Sequence, residues 1–214
     1  MRIVDQIIKL CYIISVIVTL IVEGGLRVFY KLNVLGLERN LPILKAPSGI
    51  YIAGFNPVGD MELLTRAGEY LANQVKESNI EFDIILTTEL KGVPIAQEVA
   101  RNLKCDYVCL RKDCKCYMLN PKHTSGESIT SGNSDYYISE LDLAKLINKK
   151  VLFVDDVFST GSTFKNMIAF AKNENFEITG CLSILKEDIN KGELNFKFDN
   201  ISVVCCEFLP LPKI

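Results

Sequence analysis

The sequence predicts an α/β fold with a central, mostly parallel sheet flanked by helices, and three observations predict it. Apolar runs of strand length alternate with stretches of helical period from Gly49 to near the end of the chain, the pattern of βαβ units. One of those runs, Val151–Val154, ends in two consecutive carboxylates and then a hydroxyl-rich turn into a helix. At 214 residues the chain has room for one sizeable domain with a small elaboration. We therefore expect an N-terminal extension over 1–48 and one α/β domain over 49–214.

The extension is the least regular part. Leu10–Val22 (LCYIISVIVTLIV) runs 13 residues without a charge, between Lys9 and Glu23. A membrane-spanning helix wants about 20 apolar residues, and no small-residue cleavage site follows, as a secretory signal would need. The run is read as a helix buried in the fold or at an oligomer interface, with membrane anchoring through snorkelling flanks as the alternative. Arg27–Pro47 is mixed and matches no template.

From there the elements follow in order. Gly49–Phe55 (GIYIAGF) reads as a short strand, and Asn56–Asp60 as turn chemistry before an amphipathic helix to about Val75. Phe82–Thr87 is a strand. Val93–Leu103 has helical spacing, with Pro94 tolerable in the first turn. Tyr107–Leu110 is the next strand. Arg111–Leu141 carries Ser, Gly, Asn, Thr and Lys in density without helical period, and loops of that length in compact domains are usually functional or disordered. A hairpin inside it would use Cys116–Leu119 and Tyr136–Ser139 as arms. Val151–Val154 is a strand, Phe164–Asn173 a helix, and Ile178–Leu185 and Ile201–Phe208 the last strands.

Bulk properties exclude some functions. A formal net charge of −2 gives no electrostatic footprint for nucleic acid. The eight cysteines include an adjacent pair, Cys205-Cys206, which cannot easily bridge, and a cluster Cys105, Cys109, Cys114 and Cys116. The cluster's spacing is not a zinc pattern and His123 is the sole histidine, so free thiols in a reducing compartment are expected and no metal is assigned to them.

The chemistry concentrates at Val151–Phe164 (VLFVDDVFSTGSTF). In an open parallel sheet, ligands bind at the carboxyl ends of strands. Ser159 to Thr163 offer hydroxyls, backbone N–H groups and one flexible glycine at a helix N-terminus, which suits a phosphate. Asp155 and Asp156 would repel that phosphate unless the ligand also brings hydroxyls for them to accept from. A phosphorylated ribose has both. Ordinary helix capping explains one or two of these residues but not the ordered set.

The stretch closely resembles the phosphoribosyl pyrophosphate (PRPP) motif of type I phosphoribosyltransferases, and the resemblance covers about Gly49 to Leu209. It implies the type I fold, with a small hood and a flexible active-site loop. By resemblance, Asp155 and Asp156 bind the ribose hydroxyls, while Phe158, Ser159, Thr160, Gly161, Ser162 and Thr163 form the 5′-phosphate loop. Glu89, Leu90, Lys91 and Gly92 resemble the pyrophosphate loop of the family, with a non-proline cis bond expected at Leu90–Lys91. Arg111-Lys112 resembles the Arg-Lys pair of adenine phosphoribosyltransferases, and Lys115–Leu141 corresponds to the loop that closes over the site and excludes water.

Resemblance is best to the purine branch. Asn56-Pro57-Val58 is similar to a Ser-Pro-Val of the adenine enzymes, and Phe55-Asn56-Pro57-Val58-Gly59-Asp60 matches a Phe/Leu-Asn-x-x-x-Asp run of the xanthine enzymes. The hood residues facing the base would be Ile52, Phe55 and Asn56. Ile52 stands where adenine enzymes carry a stacking aromatic, so base identity stays open between adenine, xanthine, hypoxanthine/guanine and orotate. The resemblance further implies PRPP and a nucleobase as partners, Mg²⁺ arriving with PRPP, a homodimer, and a cytoplasmic setting, with membrane association through Leu10–Val22 as the alternative. A PRPP-sensing regulator of the same fold is the reading from a different class.

Overall fold

A computed structural model describes residues 17–22, 25–45, 49, 51–128, 132–187 and 193–209. They fall into two compact units: residues up to Asn56 together with Leu209, and Pro57–Phe208.

In the first unit, β1 (Ile17–Val22), β2 (Gly25–Val34), β3 (Leu37–Lys45) and β4 (Tyr51–Ala53) form an antiparallel sheet in sequence order. The helix expected over Leu10–Val22 is therefore corrected from Ile17 onward, while its first part lies outside the described residues. Ile, Val and Thr fill most of Ile17–Val22, and such side chains are stiff in a helix but fit a pleated ladder. Leu35 and Gly36, both at positive φ, turn β2 into β3, and Asn33 Oδ1 accepts from Gly36 N at 3.0 Å. Leu32, Val34, Leu37 and Leu41 alternate inward and are buried. That period of two is broken in the sequence by Arg39, which pairs with Leu32 on the same face.

The second unit contains α1 (Met61–Glu77), β5 (Ile84–Thr88), α2 (Gly92–Leu103), β6 (Tyr107–Leu110), β7 (Lys122–Ser128), β8 (Gly132–Ile138), α3 (Glu140–Leu143), β9 (Lys150–Phe158), α4 (Ser162–Asn173), β10 (Glu177–Glu187), β11 (Asn195–Phe198) and β12 (Ile201–Leu209), the last residue of which belongs to the first unit. Asp60 caps α1 by accepting from Leu63 N at 3.2 Å. The main sheet has the order β11-β12-β10-β9-β5-β6. Its pairs β10–β9, β9–β5 and β5–β6 are parallel, and β11–β12 is antiparallel. Every residue of β5 is buried, as a central strand covered on both faces must be.

The packing is dense around β9. Phe153, Phe164, Leu86, Leu110 and Met167 are almost wholly removed from water, and each such side chain is worth roughly 1.5–3 kcal/mol of burial. The chain leaves β5 through α2 to β6 on one side, then adds β9 on the other. The crevice at the carboxyl ends of β5 and β9 is thus the topological switch point, where open α/β sheets bind ligands.

The long polar stretch holds a hairpin, β7–β8, whose first arm is Lys122–Ser128 rather than Cys116–Leu119. Thr and Tyr across the strands favour that register, with Thr124 opposite Tyr136. Tyr136 and Ile138 are buried in the core, and Tyr137 pairs with Arg111 by N–H to O bonds of 2.9 and 2.7 Å. The stretch is therefore anchored at its carboxyl end. No helix among the described residues is long and apolar enough to cross a membrane. Cys105, Cys109, Cys114, Cys116, Cys181, Cys205 and Cys206 are free thiols. Burial pushes Cys109 and Cys205 up to about 11, away from the reactive thiolate form.

Candidate functional site

The carboxyl ends of β5, β6, β9 and β10 bring together three groups of residues that are far apart in sequence. The first is the carboxylate pair. Strand β9 continues past Val154 through Asp155 and Asp156 to Phe158, so the two acids stand on the strand itself rather than after it. Asp155 keeps some surface as a residue, but its carboxyl is enclosed by protein. Burial, and then repulsion from Asp156, push that carboxyl well above the usual carboxylate range, against the opposing pull of the Asp156 backbone N–H. That N–H donates to Asp155 Oδ1 at 2.9 Å. Asp156 Oδ2 is buried and lies 3.3 Å from Lys91 Nζ, close enough for attraction yet out of line for a hydrogen bond. A buried acceptor left in that state is an opening for a ligand hydroxyl.

The second group is the loop after β5. Its cis bond joins Glu89 to Leu90, one residue before the expected position. Glu89 Oε2 accepts from Arg111 Nε at 3.2 Å and from Lys112 N at 3.0 Å, so one carboxylate ties this loop to the end of β6. Leu90 is exposed, and Lys91 leans toward Asp156 with about half its side chain in solvent. At that exposure the Lys91–Asp156 attraction contributes at most about 1 kcal/mol to stability. Gly92 opens α2 and has no room for a side chain: a Cβ there would meet Thr87 Oγ1 at 2.5 Å, Asp155 Oδ1 at 3.0 Å and Val154 O at 3.3 Å. The absent side chain lets the start of α2 approach the carboxylate pair.

The third group is the turn from β9 into α4. Gly161 has φ +78 and no side chain caps the helix it opens, so the first-turn N–H groups of α4 gain no hydroxyl or carboxylate cap. A Cβ on Gly161 would come within 2.7 Å of the Phe198 ring, which packs with Phe158 and Phe164 beneath the loop. Ser162 and Thr163 begin the helix, and Thr160 is exposed with its hydroxyl 3.3 Å from Ser162 Oγ. Ser159 Oγ donates to Glu187 Oε2 at the end of β10. Helix dipole, uncapped amides and hydroxyls together form a site for an anion.

Of the residues singled out from sequence, Asp155, Asp156, Lys91 and Gly92 converge directly, Glu89 joins Arg111 and Lys112 to them, and Ser159–Thr163 follow on the same strand end. Ile52 is half-buried, Phe55 buried and Asn56 exposed, all in the first unit. Two residues escaped the sequence reading. Thr87, the last residue but one of β5, has a buried hydroxyl lacking a hydrogen-bond partner. Glu187 ends β10, and only the register of β10 with β9 brings it beside Ser159.

The carboxylate pair and Lys91 also bear on Mg²⁺. Among the described residues no group of three or more His, Cys, Asp or Glu could hold a metal ion. Two carboxylates fit an ion that keeps its waters and is held mainly by substrate oxygens, as Mg²⁺ usually is.

Residues 58–208 match the family model described as phosphoribosyl transferase domain. A hypoxanthine/guanine phosphoribosyltransferase of Methanosarcina acetivorans is 28% identical over 167 residues, covering 77% of this chain and 82% of that protein. The purine biosynthesis transcriptional repressor of Bacillus subtilis is 30% identical over 146 residues, covering 67% of this chain and 47% of the repressor. The first curated relatives, orotate phosphoribosyltransferases and purine biosynthesis regulators, are matched over 50% to 59% of their length. The adenine phosphoribosyltransferase structure from Thermoanaerobacter pseudethanolicus shares the fold, with a TM-score of 0.60 at 18% identity over 79% of this chain and 95% of that one.

Proposed function

The chain belongs to the phosphoribosyl transferase domain family, and on that premise we propose that it transfers 5-phosphoribose from PRPP to a nitrogenous base, most simply a purine, releasing pyrophosphate. The observation that carries this is the meeting of Asp155 and Asp156 with Lys91 across the switch point, beside an uncapped helix N-terminus. Each part answers one part of PRPP: the α4 turn the 5′-phosphate, the acids the ribose hydroxyls, and Lys91 with Arg111 and Lys112 the pyrophosphate.

In the proposed reaction a ring nitrogen of the base forms a bond to ribose C1 as the C1–O bond to pyrophosphate breaks. The bonding pair leaves with pyrophosphate, and the proton of the attacking nitrogen passes to solvent. The transition state carries positive charge on the ribose ring, as in glycoside cleavage. Asp156 accepts a ribose hydroxyl and, with Asp155, favours that charge. Lys91, Arg111 and Lys112 stabilise the charge gained by the leaving group, and effects of this kind are worth roughly 2.7–4 kcal/mol per donor. Mg²⁺ bound to the pyrophosphate would neutralise part of the same charge. The β7–β8 hairpin would cover the site and exclude water.

On the family resemblance the reading extends to a cytoplasmic homodimer, with Ile52, Phe55 and Asn56 toward the base. A base panel with PRPP and Mg²⁺ tests it: pyrophosphate release with adenine, xanthine, hypoxanthine or guanine is expected. The regulators among the relatives favour one other reading, a PRPP sensor. It predicts PRPP binding with no release for any base, orotate included.

A further inference from the structure

Ser159 and Glu187 extend two neighbouring parallel strands. Phe158 of β9 is paired in register with Lys186 of β10, so the next residue on each strand stands beside the other. There Ser159 Oγ donates to Glu187 Oε2. The contact thus follows from the strand register as well as from side-chain placement.

A serine hydroxyl has one proton to give. A phosphate monoester with a second pKa of about 6 is mostly a dianion near neutral pH, and its oxygens then only accept. If the hydroxyl turns to the phosphate, Glu187 loses its donor. If it stays on Glu187, the phosphate sees a serine lone pair and, behind it, a carboxylate. Both outcomes oppose the anion that the α4 amides attract.

We infer that Glu187 is a negative determinant of affinity at the phosphate end of the site, a carboxylate that competes with the ligand phosphate for the Ser159 proton. This rests on reading Ser159–Thr163 as the phosphate cradle. The 5′-phosphate is remote from C1 and is common to substrate and product, so extra affinity there would hold both and slow release. Glu187 keeps that affinity down. It is a positioning residue for Ser159, with no contact to the reacting atoms.

Titration calorimetry of the full chain with ribose 5-phosphate tests this, with pyrophosphate as the ligand lacking the ribose phosphate. Glu187→Gln, which keeps an acceptor for Ser159 and adds an N–H donor, should bind ribose 5-phosphate about tenfold tighter. Glu187→Asp, which keeps the charge, should stay near wild type, and pyrophosphate affinity should not change in either variant. In turnover, Glu187→Gln should lower KM for PRPP and lower kcat if release limits the rate. Equal or weaker ribose 5-phosphate binding by Glu187→Gln overturns the inference while leaving the cradle standing. An equal gain in Glu187→Asp overturns it too. If wild type and variants all fail to bind ribose 5-phosphate, the cradle reading itself falls and the inference with it.

Discussion

On the proposed function, the two loops at the switch point would bind an anion in opposite ways. The loop after β5 works with charged side chains that are already engaged: Glu89 holds Arg111 and the Lys112 amide, and Lys91 leans on Asp156. The turn after β9 works with backbone: a left-handed glycine, uncapped helix amides and hydroxyls over an aromatic floor. Side-chain charges are paired internally and must exchange partners when a ligand enters. Backbone amides have no such prior commitment. The first loop is therefore suited to a group whose charge changes during reaction, and the second to one that is only held.

Five substitutions would break or sharpen that contrast. The largest effect is expected at Asp156→Asn, which removes the negative charge that would hold a ribose hydroxyl and that attracts Lys91. Turnover by pyrophosphate release should fall by roughly 10²-fold or more with an unchanged melting transition. Lys91→Ala should lower kcat by about 10²-fold while ribose 5-phosphate affinity holds, since the charge is used only as pyrophosphate leaves. Gly161→Ala should do the reverse. It forces a Cβ against the Phe198 ring at a φ of +78 and should lower stability by roughly 1–3 kcal/mol in urea titration, along with ribose 5-phosphate affinity.

Asp155→Asn is expected to stabilise the ligand-free protein at neutral pH. The folded carboxyl titrates above its ordinary value of 3.8, so the stability it supports is full below that value and lost as pH rises through the raised one. Melting curves should show the variant gaining on wild type between pH 4 and pH 8, with no gain at the acid end. The smallest effect belongs to Glu89→Gln, which keeps an acceptor for Arg111 and Lys112 while removing charge. A severalfold rise in KM for PRPP, with kcat nearly held, is the expected result.

The second unit was more legible than the first, and the reason is physical. Strands β5 and β9 are apolar over Ile84–Leu86 and Val151–Val154, where both faces are covered, and the candidate site lies at their carboxyl ends, so position in sequence and position in the site coincide. In the first unit the sheet shows one apolar face, and Arg39, paired with Leu32 on that face, interrupts the pattern, so Arg27–Pro47 matches no template. The apolar segment before it reads as a helix from sequence because composition alone does not separate a buried helix from a strand. Its ladder with β2 decides the matter from Ile17 on. Asp155, Asp156 and Ser159–Thr163 could be named from one motif. Thr87 and Glu187 could not, because each becomes part of the site only through strand order and register. The same holds for the Glu89–Arg111 tie, which spans β5 and β6.

The central claim is that the bond at ribose C1 is exchanged and not merely recognised. The most direct measurement follows PRPP, Mg²⁺ and a purine by phosphorus NMR with the full chain. The account predicts that free pyrophosphate and a nucleoside 5′-monophosphate appear in equal amounts as PRPP disappears. PRPP that binds but persists with every base would contradict it, and so would pyrophosphate appearing beside ribose 5-phosphate with no nucleotide.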